Sequence, residues 1–366
     1  VRGVKQSVMK RHMDASEAVR IKYDSKYANS SNYWKNSIGM NKCIDSIGLI
    51  QQKQAFEQQL RQWQEKTGYL KGQLDFAKLE KYYKQRYDVM NAYMHWAETF
   101  YRTDELSLRA FRAHSGSHPK GKGKRQHIAF KDNSETWDYD TDREILGTLL
   151  KNYREKITQN PNLDNSIYLP AFYTEVIDKE YGGDCQAYAD ALYAKSALLK
   201  KDARFYPMKK SFMKDMGIAY GFDINNLMHT IRGEIMSMND SIDLQEQYLC
   251  AAKLRMEEDM PHYSDANFTM RLSYGQVKEY NLGGKSSGYY TVASSMVAKM
   301  KKADEIEDYR VEPEMLTLLT DMTTPQGTLS PSPYIDAKTG QMPLCFLTTN
   351  DITGGNSGSP MFDGQD

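Results

Sequence analysis

The residues of this chain best suited to chemistry lie at 354–360 and read Gly-Gly-Asn-Ser-Gly-Ser-Pro. A Gly-x-Ser-Gly-x-Pro turn holds a serine hydroxyl out of a tight bend while backbone N–H groups converge on one point. That arrangement suits a nucleophile beside an oxyanion hole. Ser357 Oγ attacks a carbonyl carbon, and the N–H groups of Gly355 and Ser357 stabilise the oxygen that becomes negative. Glycine at 355 lets the backbone approach a substrate and take dihedrals closed to other residues. The same residue types also build ordinary surface turns, so the run acquires meaning from its context.

The elements that must position the serine are legible nearby. Pro343-Leu344-Cys345-Phe346-Leu347-Thr348-Thr349 is a short apolar and β-branched run behind a Gly/Pro-rich stretch at 331–340. It predicts a buried strand around 343–349 that delivers the chain to the loop Asn350–Gly355. Strand, glycine loop, then the serine turn is the order of a chymotrypsin-like barrel. An α/β-hydrolase elbow would place the serine in Gly-x-Ser-x-Gly ahead of a helix. Pro360 fits the first turn of a helix but no deeper position, which disfavours the elbow.

At 366 residues the chain has room for two domains. Lys+Arg and Asp+Glu stand at 48 each, so no bulk field favours nucleic acid or an acidic membrane surface. Mean hydropathy is −0.71, and no apolar run approaches the roughly 20 residues of a membrane span. The N-terminal Val1-Arg2-Gly3-Val4 has no signal-peptide pattern and no initiating Met, so the chain is expected to be a piece of something longer. Cys43, Cys185, Cys250 and Cys345 are far apart and lack metal-ligand spacing; buried thiols and disulfides both stay open. No metal and no cofactor is expected.

Texture changes along the chain. Val4, Val8, Met9 and Met13 open an amphipathic helix. Phe56, Leu60 and Trp63 recur at helical spacing, and Leu79, Tyr83, Met90, Met94 and Ala97 are predicted to line another apolar face. Further helices are predicted over 142–158, 184–200 and 241–258, and Met- and Tyr-rich faces are assigned to core. After Pro261 short runs alternate with turn signals at Gly275, Gly283-Gly284 and Gly288. These predict strands around 267–280, with one amphipathic helix at 291–303 carrying Val292, Met296 and Met300. The fold class is therefore α+β, with an all-α domain over 1–260 and a β-rich segment over 261–366 that carries Ser357.

The basic run from His114 to His127, interleaved with glycine, predicts a flexible surface loop. Nucleic-acid binding would need interleaved aromatics and a wider basic face, and zinc would need a preformed ligand set, so neither is expected.

Two segments closely resemble the bacterial dipeptidyl-peptidase 7 and dipeptidyl-peptidase 11 family of chymotrypsin-like serine exopeptidases. One is Tyr263-Ser-Asp-Ala-Asn-Phe-Thr-Met-Arg-Leu-Ser-Tyr-Gly275, the other Thr349-Asn-Asp-Ile-Thr-Gly-Gly-Asn-Ser-Gly-Ser-Pro360. The helical stretch Lys22–Asn36, with Ser31-Asn32-Tyr33-Trp34, is similar to the cap domain of those enzymes. The resemblance spans nearly the whole chain. It implies a large helical cap over 1–260, followed by an incomplete C-terminal piece of an antiparallel β-barrel over 261–366. It also implies release of N-terminal dipeptides, peptide substrates with a free N-terminus, a periplasmic or secreted location and a homodimer.

An exopeptidase of that kind must bind a free α-ammonium, which offers only donors, so its partners must be acceptors. By resemblance Asn32 is the candidate for that contact, with a helix-capping or surface Asn as the alternative. Trp34 is assigned to packing. The family's catalytic His and Asp precede the helical domain, and none of the seven histidines here occupies their motif. His262 is not assigned as the base, and without a base Ser357 is a weak nucleophile, so this fragment is expected to be inert. The chain ends nine residues after Ser357, before the strand expected to wall the S1 pocket, so acidic and hydrophobic P1 preferences both stay open. Asp351, six residues before Ser357, sits where trypsin-like enzymes bind a basic P1 side chain. A Lys/Arg-specific endopeptidase is thus a second reading, although a structural Asp bonding loop N–H groups is the expected role. A non-catalytic helical interaction module is the third reading.

Overall fold

The computed structural model describes residues 1–366 apart from 102, 118–127, 131–133, 201–203, 206–213, 261, 263–268, 270–271, 283, 307–308, 325–327, 329–332, 353–354 and 366. The chain divides into two compact units, Val1–Cys43 with Gln51–Met256, and Ile44–Ile50 with Glu257–Asp366.

Up to Met256 the described chain is mainly helical. It runs α1 (Arg2–Ala15), α2 (Glu17–Ser46), α3 (Leu49–Thr67), α4 (Phe76–Phe100), α5 (Glu105–Ser117), α6 (Tyr139–Thr158), α7 (Asn165–Tyr168), α8 (Lys179–Tyr181), α9 (Cys185–Lys195) and α10 (Met216–Met256). Two-residue strands β1 (Ile128–Ala129) and β2 (Arg204–Phe205) pair antiparallel. Aspartates start α4, α5, α6, α9 and α10, because their carboxylates accept first-turn N–H groups that have no partner inside the helix. Asp75 accepts from Lys78 N, Asp138 from Thr141 N, and Asp184 from Gln186 N and Ala187 N. Asp104 and Asp215 do the same for α5 and α10. Each such cap is worth about 1 kcal/mol.

The main core gathers α4, α5, α6, α9 and α10 around aromatic side chains. Phe100 and Tyr153 meet edge-on at 4.8 Å between centroids, and Phe172 lies 4.7 Å from Tyr173. The polar tips of these rings are satisfied: Tyr153 OH donates to Tyr168 O and Tyr173 OH to Leu150 O, both at 2.8 Å. Trp96 Nε1 donates to Ile224 O at 2.8 Å. Two smaller clusters join α1 to Tyr23, Ile145 and Leu149, and Leu60 to Leu74 and Ala252.

The structure corrects several expectations. On α4 the buried face is Leu79, Val89, Ala92, Trp96 and Phe100, whereas Tyr83 and Met94 are exposed. The stretch read as 241–258 is the end of a 41-residue helix whose first half the periodicity missed. That half buries Ile218, Tyr220, Gly221, Ile224, Asn225 and Leu227, one face about half the helix circumference wide in which glycine and asparagine interrupt the apolar residues. His114 belongs to α5 and is buried, its ring 4.8 Å from that of Phe222. The rest of the basic run, 118–127, lies outside the described residues.

Beyond Met256, β3 (Asn281–Leu282) pairs with β4 (Lys285–Ser286), and β5 (Tyr290–Val292) pairs antiparallel with β6 (Pro343–Phe346). Between β5 and β6 in sequence lie α11 (Ala293–Met300) and α12 (Pro313–Thr323), the latter opening on proline at its first turn. Among the described residues, the strand expected over 267–280 reduces to a single antiparallel bridge, Val277 to Thr348. β6 forms as expected but is exposed rather than buried, with Leu344 44% and Phe346 50% accessible, because among the described residues it pairs only with β5.

Candidate active site

Main-chain bonds carry β6 into the serine loop. Leu347 N donates to Tyr289 O at 2.7 Å, Lys278 N to Leu347 O at 3.1 Å and Thr349 N to Gln276 O at 2.9 Å. Two side chains extend this seam: Gln276 N donates to Thr349 Oγ1 at 2.9 Å, and Asn350 Nδ2 to Ser273 O at 3.2 Å. Residues 272–276 are thereby joined to 347–350, the start of the serine segment. Of the first resembling segment, 263–268 and 270–271 lie outside the described residues, as do Thr353 and Gly354 in the second.

Beyond the seam the backbone bends at two glycines in the left-handed region, Gly355 at φ +100° and Gly358 at φ +81°. Ser359 N donates to Asn356 O at 3.0 Å and closes the turn that holds Ser357. Ser357 is exposed, and among the described residues its hydroxyl has no hydrogen-bond partner. Gly355 and Ser357 thus share one exposed loop. Asp351 is also exposed, and among the described residues no N–H donates to it. Thr353 and Gly354, next along the loop from Asp351, lie outside the described residues, so the role expected of Asp351 toward loop N–H groups falls in part on them. His262 hydrogen-bonds Glu257 O through Nε2 at 3.1 Å.

Asn32 belongs to the first unit. It is exposed in the middle of α2 and caps neither end, so the helix-capping alternative does not apply. Its neighbours pack on α1: Gln6 Nε2 donates to Ser30 Oγ at 3.0 Å, and the Arg2 guanidinium lies 5.1 Å from the Tyr33 ring centre. Trp34 packs against Gly3, in line with the role assigned to it.

The same unit holds a polar cavity of about 560 Å³ that sequence reasoning missed, with Arg2, Lys5, Tyr23, Glu98, Asp104 and Asp142 in its wall. Asp142 Oδ1 accepts from Tyr23 OH at 2.5 Å, and Oδ2 from Glu105 N at 2.7 Å. Burial, then the neighbouring Asp104 carboxylate, pushes the Asp142 carboxyl up to about 7. Burial likewise lowers the Lys5 ammonium, which donates to Thr103 O at 2.7 Å. The only sequence signal was two acids beside helix starts, which reads as capping.

The four cysteines are free thiols, and among the described residues no cluster of His, Cys, Asp and Glu could hold a metal ion. No described helix is long and apolar enough to cross a membrane.

The chain is 33% identical to dipeptidyl-peptidase 7 of Phocaeicola vulgatus, over 100% of its own length and 50% of that protein. It is 32% identical to dipeptidyl-peptidase 7 of Porphyromonas gingivalis, over 99% of its length and again 50% of the relative. The chain thus spans about half the length of the curated relatives it matches. A crystal structure of Porphyromonas endodontalis DPP11 in complex with the dipeptide Arg-Glu is similar in fold, with a TM-score of 0.72 at 20% identity, covering 98% of this chain and 50% of that one. The family described as Peptidase S46 matches residues 1–366, end to end. The chain belongs to the peptidase S46 family.

Proposed function

We propose that the protein carrying this chain is a serine dipeptidyl peptidase that releases dipeptides from peptides with a free N-terminus. The observation that carries the reading is the exposed Ser357 hydroxyl, unpartnered among the described residues, in a turn bounded by two left-handed glycines. Ser357 Oγ adds to the scissile carbonyl carbon, the N–H groups of Gly355 and Ser357 receive the negative oxygen, and collapse of the intermediate expels the amine. Water then cleaves the acyl-enzyme and frees the dipeptide. The His and Asp that move the proton come from the part of the protein this chain does not span. Asn32 accepts a hydrogen bond from the substrate ammonium and so measures two residues from the N-terminus.

On this reading 1–260 forms the helical cap and 261–366 part of an antiparallel barrel. The exposed apolar face of β6 supports it, since the remaining strands of a barrel would cover that face. A periplasmic or secreted homodimer is the accompanying proposal, supported by the family resemblance alone.

One observation favours a second reading. The exposed Asp351 carboxylate, unpartnered among the described residues, is free to meet a basic P1 side chain, as in a Lys/Arg-specific endopeptidase. Cleavage of matched reporter peptides with free and N-acetylated termini separates the two. A dipeptidyl peptidase cleaves the free form far faster; equal rates on both forms would sink the proposal and leave the endopeptidase.

A further inference from the structure

The placement of Asn32 depends on how α2 is seated. At about 100° per residue, Ser30, Tyr33 and Trp34 fall in one sector of the helix, and Asn32 lies about 150° from the middle of that sector. All three residues of the sector meet α1. Ser30 accepts from Gln6, Tyr33 lies under the Arg2 guanidinium, and Trp34 packs on Gly3. Arg2 is itself held by Glu98 of α4, with Nε and Nη2 donating at 2.8 and 2.6 Å. The Trp34 contact is the tightest: a Cβ on Gly3 would stand 3.2 Å from Trp34 Cη2 and 3.3 Å from Cζ2. Gly3 lies in the first turn of α1, where alanine would be the better helix former. The room that a side chain would need is taken by the outer ring of the indole.

We infer that Gly3 is a positioning residue for the amine-binding end of the site: its missing side chain lets Trp34 seat on α1, and that seat sets the rotation of α2 that presents Asn32. The inference rests on the reading of Asn32 as the ammonium acceptor. A Cβ at position 3 shifts the indole by a few tenths of an ångström and a larger side chain shifts it further; on this inference α2 turns with the indole. A rotation of about 10° displaces a side-chain atom some 6 Å from the helix axis by about 1 Å. A misplacement of that size in a positioning group costs about a hundredfold in rate at most.

The test uses the full-length protein, with Gly3→Ala, Gly3→Val, Asn32→Ala, Gly3→Val combined with Asn32→Ala, and Gly3→Val combined with Trp34→Phe. Phenylalanine lacks the indole atoms that meet position 3. The expected result for Gly3→Val is a KM about tenfold higher on a free-amine dipeptidyl reporter, with kcat within about twofold, the pattern of lost binding common to ground and transition states. The effect should be smaller for Gly3→Ala, absent on the N-acetylated reporter and not additive with Asn32→Ala. Trp34→Phe should restore the Gly3→Val variant. Unaltered free-amine kinetics in Gly3→Val, equal loss on both reporters, additivity with Asn32→Ala, or no rescue overturns the inference. If Gly3→Val does not fold, Gly3→Ala carries the same expected and overturning results at smaller magnitude, with Gly3→Ala combined with Trp34→Phe as its rescue. Unaltered free-amine kinetics in Asn32→Ala overturns the amine-anchor reading and this inference with it. Impairment by Asn32→Ala but not by Gly3→Val overturns the inference alone.

Discussion

Gly275 lies so close to Asn350 that a Cβ on it would stand 2.5 Å from the Asn350 backbone nitrogen and 2.9 Å from Oδ1. Carbon does not approach nitrogen or oxygen so closely without displacing them. Glycine at 275 is therefore a steric condition for the seam between 272–276 and 347–350, and the serine loop hangs from that seam. Gly275→Ala is expected to destabilise the second unit by about 1–3 kcal/mol, the usual cost of forcing atoms into a filled site. Urea denaturation followed by tyrosine fluorescence checks this; an unmoved transition would show that the two segments separate freely.

Ser357→Ala in the full-length protein is expected to abolish dipeptide release without unfolding the chain, because the hydroxyl is exposed and makes no bond among the described residues. Loss of the nucleophile costs several orders of magnitude in kcat, since the members of a relay act as a unit. Turnover near the unmutated rate on a dipeptidyl reporter would assign the nucleophile elsewhere.

If Asn32 is the proposed acceptor for the substrate ammonium, Asn32→Ala in the full-length protein leaves that charge one partner short. A hydrogen bond to a charged group is worth about 1.5–3 kcal/mol, or roughly ten- to a hundredfold in kcat/KM. The loss should be confined to free-amine substrates and largely vanish on N-acetylated ones, which on the proposed function should already be poor substrates. Steady-state kinetics on the matched pair measures the difference directly.

Asp142 predicts a pH dependence of stability. Its carboxyl, ordinarily near 3.8, is raised to about 7 in the folded chain by burial and by Asp104. Folding therefore takes up a proton between those values. The contribution is fully present below about pH 4 and is lost as pH rises through about 7, at a slope of at most about 1.4 kcal/mol per pH unit. When Asp142 is protonated, its Oδ1 can donate to Tyr23, whose hydroxyl can turn to Asp138 O at 3.3 Å. Asp142→Asn mimics that neutral state. It should match the unmutated chain near pH 4 and exceed it by about 2–4 kcal/mol at pH 8. Urea transitions at the two pH values read this out, and a difference that stays constant with pH would mean that Asp142 ionises normally when folded.

Features that depend on neighbouring residues were legible before folding. Helices α6 and α11 follow from apolar spacing, with ends displaced by a few residues, and the strand at 343–346 follows from its β-branched and apolar run. Gly355 and Gly358 hold left-handed dihedrals that a tight serine turn requires, and such dihedrals are a local property of glycine. Tertiary structure decided the rest. The chain pattern that predicts a buried strand at β6 says nothing about what covers it, and among the described residues nothing but β5 pairs with it. His114 reads as part of a basic loop until α10 brings Phe222 against it. Asp104 and Asp142 stand 38 residues apart in the sequence; their mutual field, and the raised carboxyl of Asp142, exist only because α5 and α6 begin side by side away from water. Gly275 reads as a turn signal and Gly3 as part of a helix start; their close fits to Asn350 and Trp34 appear only in the folded chain. Local sequence sets dihedrals and periodicity within a turn or two, while desolvation, charge coupling and close approach arise between segments distant in the chain and appear only when packing brings them together.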